Sequence, residues 1–341
     1  MRMSRIAVGF FFIAGLALLG AMIWQVGLTN LIGGFQTLGL WLIPYLLLKG
    51  IRIIIDTAGW ALCFPGNRLS IPFWHLLLVS RAGGAINHVT PTATVGGEIV
   101  KVLLLESHLS RQQATATVFI DKATSTLASM LFLTLGMFYL AQRLPLPVEL
   151  YWSLTLGISL ITLGLIGFVA FQRYGALSKL VHWLGRFPIG RLYIQRLSEQ
   201  LALLDEQLRA YYTRYPWRFV QSLLLHFVAD LFGIVKTYIL LALLLGANRF
   251  NLADAAMVTI AVGGLDQIFF FVPARLGVLE GTRFMVLSLL GVAQVYGLTA
   301  GLVARVEHLF WSGIGFLAYW FYVRYVVPAT APQPVDVSPI P

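Results

Sequence analysis

The chain of 341 residues is 58% hydrophobic and 11% charged, with a mean hydropathy of +0.81, which excludes a soluble globular domain and indicates an integral membrane protein. Its net charge of +10 does not point to nucleic acid, because the bases sit mainly at the ends of apolar runs, where the positive-inside rule and anionic lipid account for them. A single cysteine, Cys63, allows neither an internal disulfide nor a cysteine-built metal site.

An uncleaved first span is expected from about Ile6 to Leu28, with Arg2 and Arg5 ahead of it placing the N-terminus in the cytoplasm. An uncharged loop, Thr29–Thr37, precedes a second span, Leu38–Phe64, which carries Lys49, Arg52 and Asp56. Arg52 and Asp56 stand one helical turn apart and can neutralise each other. Pro65–Gly66–Asn67, followed by Arg68, reads as a cytoplasmic turn. Ile71–Asn87 and Pro91–Glu106 lie at or below the roughly 20 apolar residues that a crossing needs, so they read as a helical hairpin that enters the membrane and returns. A third span, Ala114–Ala141, holds Asp121 and Lys122, and a fourth runs from Leu150 to Phe171.

Arg173–Arg218 is a basic cytoplasmic segment with eight Lys/Arg and three acids. Within it Leu197, Leu201, Leu204, Leu208 and Tyr211 form an apolar stripe on a charged helix. The stripe fits a helix lying in the membrane interface and equally one packed beneath the bundle. The fifth span, Trp217–Gly246, contains His226, Asp230 and Lys236. A second short hairpin, Ala253–Phe271 and Leu276–Gly291, has Asp266 near its tip, and a last span, Leu298–Val323, includes Arg305 and Glu307. Residues 1–328 thus form one membrane domain, with a linker at 173–216 and a disordered tail at 329–341.

One stretch occurs twice. Pro91–Lys101 reads PTATVGGEIVK and Pro273–Arg283 reads PARLGVLEGTR, so Pro91, Glu98 and Lys101 recur as Pro273, Glu280 and Arg283 at the same offsets. Proline starts helices and breaks their interiors, so each copy reads as a half-helix with polar groups on one face. Its positive N-terminal end is a seat for an anion, and broken backbone at membrane depth survives only in protein or beside a wet cavity. An odd number of crossings separates the second span from the fifth, so the halves, about 38–141 and 217–326, face opposite ways. The expected fold is an all-α polytopic transmembrane bundle with an inverted repeat and two broken hairpins, the pattern that marks a transporter's binding site.

Charged groups at membrane depth cost about 2.5–3.5 kcal/mol each, so they must pair or meet water. Candidates for a common cavity are Arg81, Asn87, Glu98, Lys101, Asp121 and Lys122 from the first half, and Asp266, Arg275, Glu280, Arg283, Arg305 and Glu307 from the second. Mixed signs with a slight basic excess suit an anionic or zwitterionic head group. The pair Arg305 and Glu307, taken alone, reads as a structural bridge. Zinc-helix, nucleotide-loop and nucleophile-elbow motifs are missing, no cofactor is expected, and the six histidines are scattered. Of these His88, beside the first break, is the one to test.

These residues resemble a known family. Arg81, Asn87, Pro91, Gly97-Glu98, Lys101 and Asp121-Lys122, with Pro273, Gly277, Glu280-Gly281 and Arg305, are similar to the flippase-like membrane domain of the lysylphosphatidylglycerol synthases, most of all to stand-alone hopanoid-biosynthesis-associated membrane proteins. The phrases VGGEIVK and FFVPARLGVLEG carry the likeness, which runs from about Leu38 to Tyr325. It implies translocation or handling of a phospholipid or hopanoid-type lipid, with no catalytic transferase domain; a bacterial inner membrane is the expected location, and Arg2, Arg5 and Arg324 put both termini in the cytoplasm. Ala274-Arg275 departs from the glycines that such proteins often have after the second proline. Lipid-biosynthesis enzymes are the expected protein partners. Two further readings are a non-catalytic membrane subunit of a lipid-biosynthetic complex and an intramembrane lipid transferase using Glu98 or Asp121 as a base.

Overall fold

The computed structural model describes residues 20–21, 23–64, 71–89, 95–141, 147–172, 191–269, 272 and 275–327. All of the regular structure among them is helical. Most of the expected first span lies outside these residues, as do the Pro65–Asn67 turn with Arg68, both prolines of the repeated stretch, residues 173–190 of the linker, and the tail.

The described chain opens, after Gly27, on α1 (Leu28–Leu38) where a loop was expected. The absence of charge lets the segment bury as a helix: Leu31 and Leu38 fall on one face and are buried, Leu31 beside Leu298. The helix α2 (Leu42–Ala61) follows after a short 3₁₀ turn. The first hairpin is α3 (Phe73–Val89) and α4 (Val95–Leu105), and α5 (Arg111–Ala141) and α6 (Val148–Gln172) come next. Then α7 (Arg191–Arg214) leads to α8 (Pro216–Leu245), whose first residue is the proline favoured at a helix start. The second hairpin is α9 (Leu252–Ile268), opened by an Asn251/Asp254 capping box, and α10 (Val278–Leu289). The last long helix is α11 (Gln294–Phe321).

The stretches Leu28–Ala61, Arg111–Leu140 and Pro216–Leu245 are long and apolar enough to cross a membrane. Their outward faces are greasy: Leu47, Ile51 and Ile54 on α2 and Leu224, Val228 and Leu231 on α8 are exposed, as lipid contact requires. The helix α11 has 28 residues but carries Arg305, Glu307 and His308 at its middle. The hairpin arms contain 17, 11, 17 and 12 residues. At about 1.5 Å per residue none reaches the roughly 30 Å of a hydrocarbon core.

The two halves run in opposite senses. At one end of the bundle Tyr211 Oη donates to the Leu62 carbonyl at 3.2 Å and Arg218 Nη1 to that of Phe64 at 3.1 Å. His75, His108 and Tyr322 stack there as well. This end therefore gathers the finish of α2, the α4–α5 turn, the start of α8 and the finish of α11. At the other end Leu38, Leu244, Leu287 and Val292 share a core. So α2 and α11 run toward the first end, while α5 and α8 run away from it. The helix pairings agree: α3 packs on α4 as α9 on α10, α4 on α5 as α10 on α11, α3 on α11 as α9 on α5, and α2 packs on its own counterpart α8. The first hairpin opens at one end and the second at the other.

The apolar stripe of the linker packs beneath the bundle rather than lying in the membrane interface. Leu208, Tyr211 and Tyr212 are almost fully buried, and α7 contacts α5, α6 and α8.

The arms of the first hairpin touch through glycine. A Cβ on Gly97 would lie 2.0 Å from the Gly83 carbonyl oxygen, so nothing larger fits without moving backbone. Gly97→Ala is expected to lower stability by about 1–3 kcal/mol through overpacking, read as a lower melting temperature in detergent. Gly164→Ala, where an added Cβ meets nothing within 4 Å, leaves melting unchanged or slightly raised.

Candidate functional site

The repeated stretch delivers its two glutamates to equivalent places, the first turn of α4 for Glu98 and of α10 for Glu280. A carboxylate there answers the positive end of the helix. The expected anion seat at each half-helix N-terminus is therefore held by the chain's own side chain. Asn87 locks the first arrangement: its Oδ1 accepts from the Gly97 amide at 2.7 Å and its Nδ2 donates to Glu98 Oε1 at 3.2 Å. Gly97 is thus a packing and hydrogen-bonding position. In the second copy Gly277, at φ 74, caps α10 in the left-handed conformation. Arg275 just before it has φ 49, a conformation that costs a side-chain-bearing residue roughly 1–2 kcal/mol.

The candidates do not share one cavity, contrary to the sequence expectation. A cavity of about 200 Å³ lies beside the first hairpin, bounded by α2, α3, α4, α5 and α8. In its wall Lys101 Nζ sits 3.0 Å from Glu98, 3.8 Å from Asp121 and 5.0 Å from the centre of the Trp60 ring. Lys122, with its side chain 46% exposed, stands 3.9 Å from Glu98. Arg81 also lines this space. His226 bridges two aspartates, at 3.1 Å from Asp56 through Nδ1 and 3.1 Å from Asp121 through Nε2.

A second cavity, of about 330 Å³, lies beside the second hairpin. Lys49, Arg52, Lys236, Arg275 and Arg283 line it against only Asp266 and Glu307, with an apolar side that includes Leu240, Val258 and Leu279. Glu307 pairs with Lys49 at 3.4 Å and with Lys236. Asp266 accepts from Thr282 Oγ1 at 2.9 Å and meets Arg283 at 3.5 Å. No carboxylate pairs with the Arg275 guanidinium among the described residues. Arg52 belongs to both cavities. It stands 2.5 Å from Asp230, closer than the 3.5 Å to its expected partner Asp56, and Asp230 also accepts from Ser129 at 2.8 Å.

Glu280 and Arg305 line neither cavity. The Glu280 side chain is 0% exposed and takes both Arg305 Nε at 2.7 Å and Nη2 at 3.1 Å. Arg305 Nη2 further donates to the Arg275 carbonyl at 2.8 Å. The expected Arg305–Glu307 bridge does not form, since residues two apart on a helix point away from each other. A Cβ on Gly301 would sit 2.5 Å from the Glu280 Cα, so glycine on α11 is what brings this pair together. Pro91 and Pro273 lie outside the described residues.

Several wall residues escaped sequence reasoning. Lys49, Arg52, Asp56, His226, Asp230 and Lys236 were visible as charged or polar groups within spans, but only the contact between α2 and α8 shows that they face inward together. Trp60 gave no signal, because a tryptophan in an apolar helix reads as core or membrane anchor. Groups of three or more His, Cys, Asp or Glu that would hold a metal ion are absent among the described residues. Arg305→Met strands the Glu280 charge in the core and is expected to cost about 3–5 kcal/mol, seen as loss of folded protein in detergent. Adding Glu280→Leu removes the stranded charge and restores much of that loss.

No curated protein and no solved structure matches the chain. The family described as the lysylphosphatidylglycerol synthase TM region matches residues 6–325. With its short paired hairpins, its greasy outer faces and that match, the chain is a membrane protein that belongs to the lysylphosphatidylglycerol synthase transmembrane-region family, a family linked to lipid handling.

Proposed function

We propose that the protein is a lipid flippase or transporter rather than an enzyme, admitting a lipid head group to its polar cavities while the acyl or hopanoid tails stay in the bilayer. The observation that carries this reading is the pair of charged cavities, each beside a short hairpin and the two hairpins opening at opposite ends of an antiparallel bundle. Rocking of one half against the other would then alternate access. The lining charges suit an anionic or zwitterionic phospholipid, and the resemblance to hopanoid-associated proteins adds hopanoid lipids as cargo. A bacterial inner membrane is the corresponding location, with the Arg111 and Arg218 end of the bundle and both termini facing the cytoplasm. Against group transfer stands the pairing of both candidate bases, Glu98 with Lys101 and Lys122 and Asp121 with Lys101 and His226.

A second reading, a non-catalytic membrane subunit that docks lipid-biosynthesis enzymes, draws on the self-contained pairing of Glu280 with Arg305, which leaves no charge for a ligand.

The deciding experiment reconstitutes the purified protein in liposomes and follows labelled phospholipids and hopanoids between leaflets. Wild type is expected to speed exchange. Glu98→Gln, which removes the carboxylate nearest Lys101 and Lys122, is expected to slow it about tenfold or more, equivalent to about 1.4 kcal/mol or more in the barrier. Equal exchange in both proteins removes Glu98 from the site, and absence of exchange by wild type for every lipid moves the assignment to the subunit reading.

A further inference from the structure

The second cavity, of about 330 Å³, carries more positive charge than its own carboxylates can answer. Lys49 and Lys236 share the single carboxylate of Glu307, and Arg283 meets Asp266 at 3.5 Å. Arg52, in the same wall, is turned at 2.5 Å to Asp230, which lines the first cavity. Arg275 is bound to Arg305 through its backbone carbonyl, while its guanidinium makes no hydrogen bond or ion pair among the described residues. One lysine charge and one guanidinium are therefore left over, an excess of two.

These bases keep open surface and converge. The side chains of Lys49, Lys236 and Arg283 are 15%, 16% and 22% exposed, Arg275 is partly exposed, and all four line the cavity. Lys49, Arg275 and Arg283 lie within electrostatic reach of one further wall residue, His308. Arg283 makes its three side-chain hydrogen bonds from Nη1 alone, which leaves Nε and Nη2 for a ligand. Leu240, Val258 and Leu279 give the same cavity an apolar side. The chain also holds Arg275 at φ 49, a conformation kept only where the surroundings impose it, here through the Arg305 clamp on its carbonyl at 2.8 Å.

We infer that the second cavity is a site for a phosphomonoester, with Arg275 selecting it over a singly charged diester; this deepens the lipid-transport reading and rests on it. A phosphomonoester carries close to two negative charges near neutral pH and three terminal oxygens, which matches the excess of two and lets guanidinium and ammonium donors from α2, α8, α10 and the turn before α10 share one group. A phosphodiester leaves one of those charges unanswered. A zwitterionic head group brings an ammonium into a wall already rich in bases. The apolar side takes the carbon that the ester oxygen joins. A lipid head group and free phosphate offer the same dianion, and experiment separates them.

Binding is measured calorimetrically on the full-length protein in detergent at about pH 8, where the monoester is fully ionised. The probes are short-chain phosphatidic acid as the monoester, short-chain phosphatidylglycerol as the diester, short-chain phosphatidylcholine as the zwitterion, and inorganic phosphate. Leaflet exchange of labelled phosphatidic acid is followed in liposomes in parallel. Arg275→Asn removes the charge, tolerates the left-handed backbone and keeps the carbonyl that Arg305 holds; melting temperature reports its folding, and Arg275→Gly, freer still at positive φ, replaces it if it melts early. Wild type is expected to bind the monoester about tenfold or more tighter than the diester, and the zwitterion more weakly still. In Arg275→Asn monoester binding is expected to fall about tenfold or more, as for a hydrogen bond between charged groups, with the diester changed less. Slowed exchange in the variant identifies the lipid as the source. Inorganic phosphate held as tightly as the monoester, with both weakened in the variant and exchange unchanged, keeps the site and assigns it to free phosphate. Wild type that binds neither phosphate probe nor monoester, or holds the diester as tightly as the monoester, overturns the inference, as does undiminished monoester binding in a correctly melting variant. That result leaves lipid transport standing if wild type still exchanges lipid, whereas monoester binding without exchange of any lipid keeps the site and removes transport.

Discussion

Charge inside hydrocarbon is tolerable only when it is matched, because an isolated ion at bilayer depth loses its hydration and gains nothing in return. In this protein much of the matching is done across helices, beside the pairs Glu98–Lys101 and Arg52–Asp56 along them. Arg52 of α2 reaches Asp230 of α8, His226 of α8 reaches Asp56 of α2 and Asp121 of α5, and Glu307 of α11 gathers lysines from α2 and α8. The two halves are thus held at their common seam by ionic contacts that neither half can satisfy alone. Apolar packing does the remaining work, in one large cluster at the α7 end of the bundle and another at the α1 end.

That seam also separates two kinds of polar space. Beside the first hairpin four carboxylates face four lysines and arginines, with His226 among them. Beside the second, five bases face two acids, and Arg275 is held there in a left-handed conformation whose cost the surrounding contacts offset. Its carbonyl accepts from Arg305, which in turn is fixed by Glu280. An ion pair between α10 and α11, its carboxylate fully buried, therefore positions a backbone turn, and the turn places a guanidinium at a cavity wall. The matching glutamate of the first hairpin is only partly buried and faces its cavity. Equivalent sequence positions have come to serve support in one half and lining in the other.

How much of this was legible in the chain differs from residue to residue. Hydropathy and run length are local properties, so the membrane class, the long helices α2, α5 and α8, and the short arms of both hairpins could be read directly. The repetition of proline, glutamate and base at fixed offsets, with an odd number of crossings between copies, determined that the halves oppose each other, because handedness across a membrane follows from counting. Two local readings failed. The uncharged segment at Thr29–Thr37 becomes helix because α11 offers it a face to bury against, and Arg305, turned away from Glu307 by their spacing on α11, finds its carboxylate on α10. Only the tertiary structure decided which charged groups meet, that they divide between two cavities with Arg52 in both walls, and that Trp60 is a cavity residue. Pairing across helices depends on which faces the packing turns toward each other, and no spacing along a single helix encodes that.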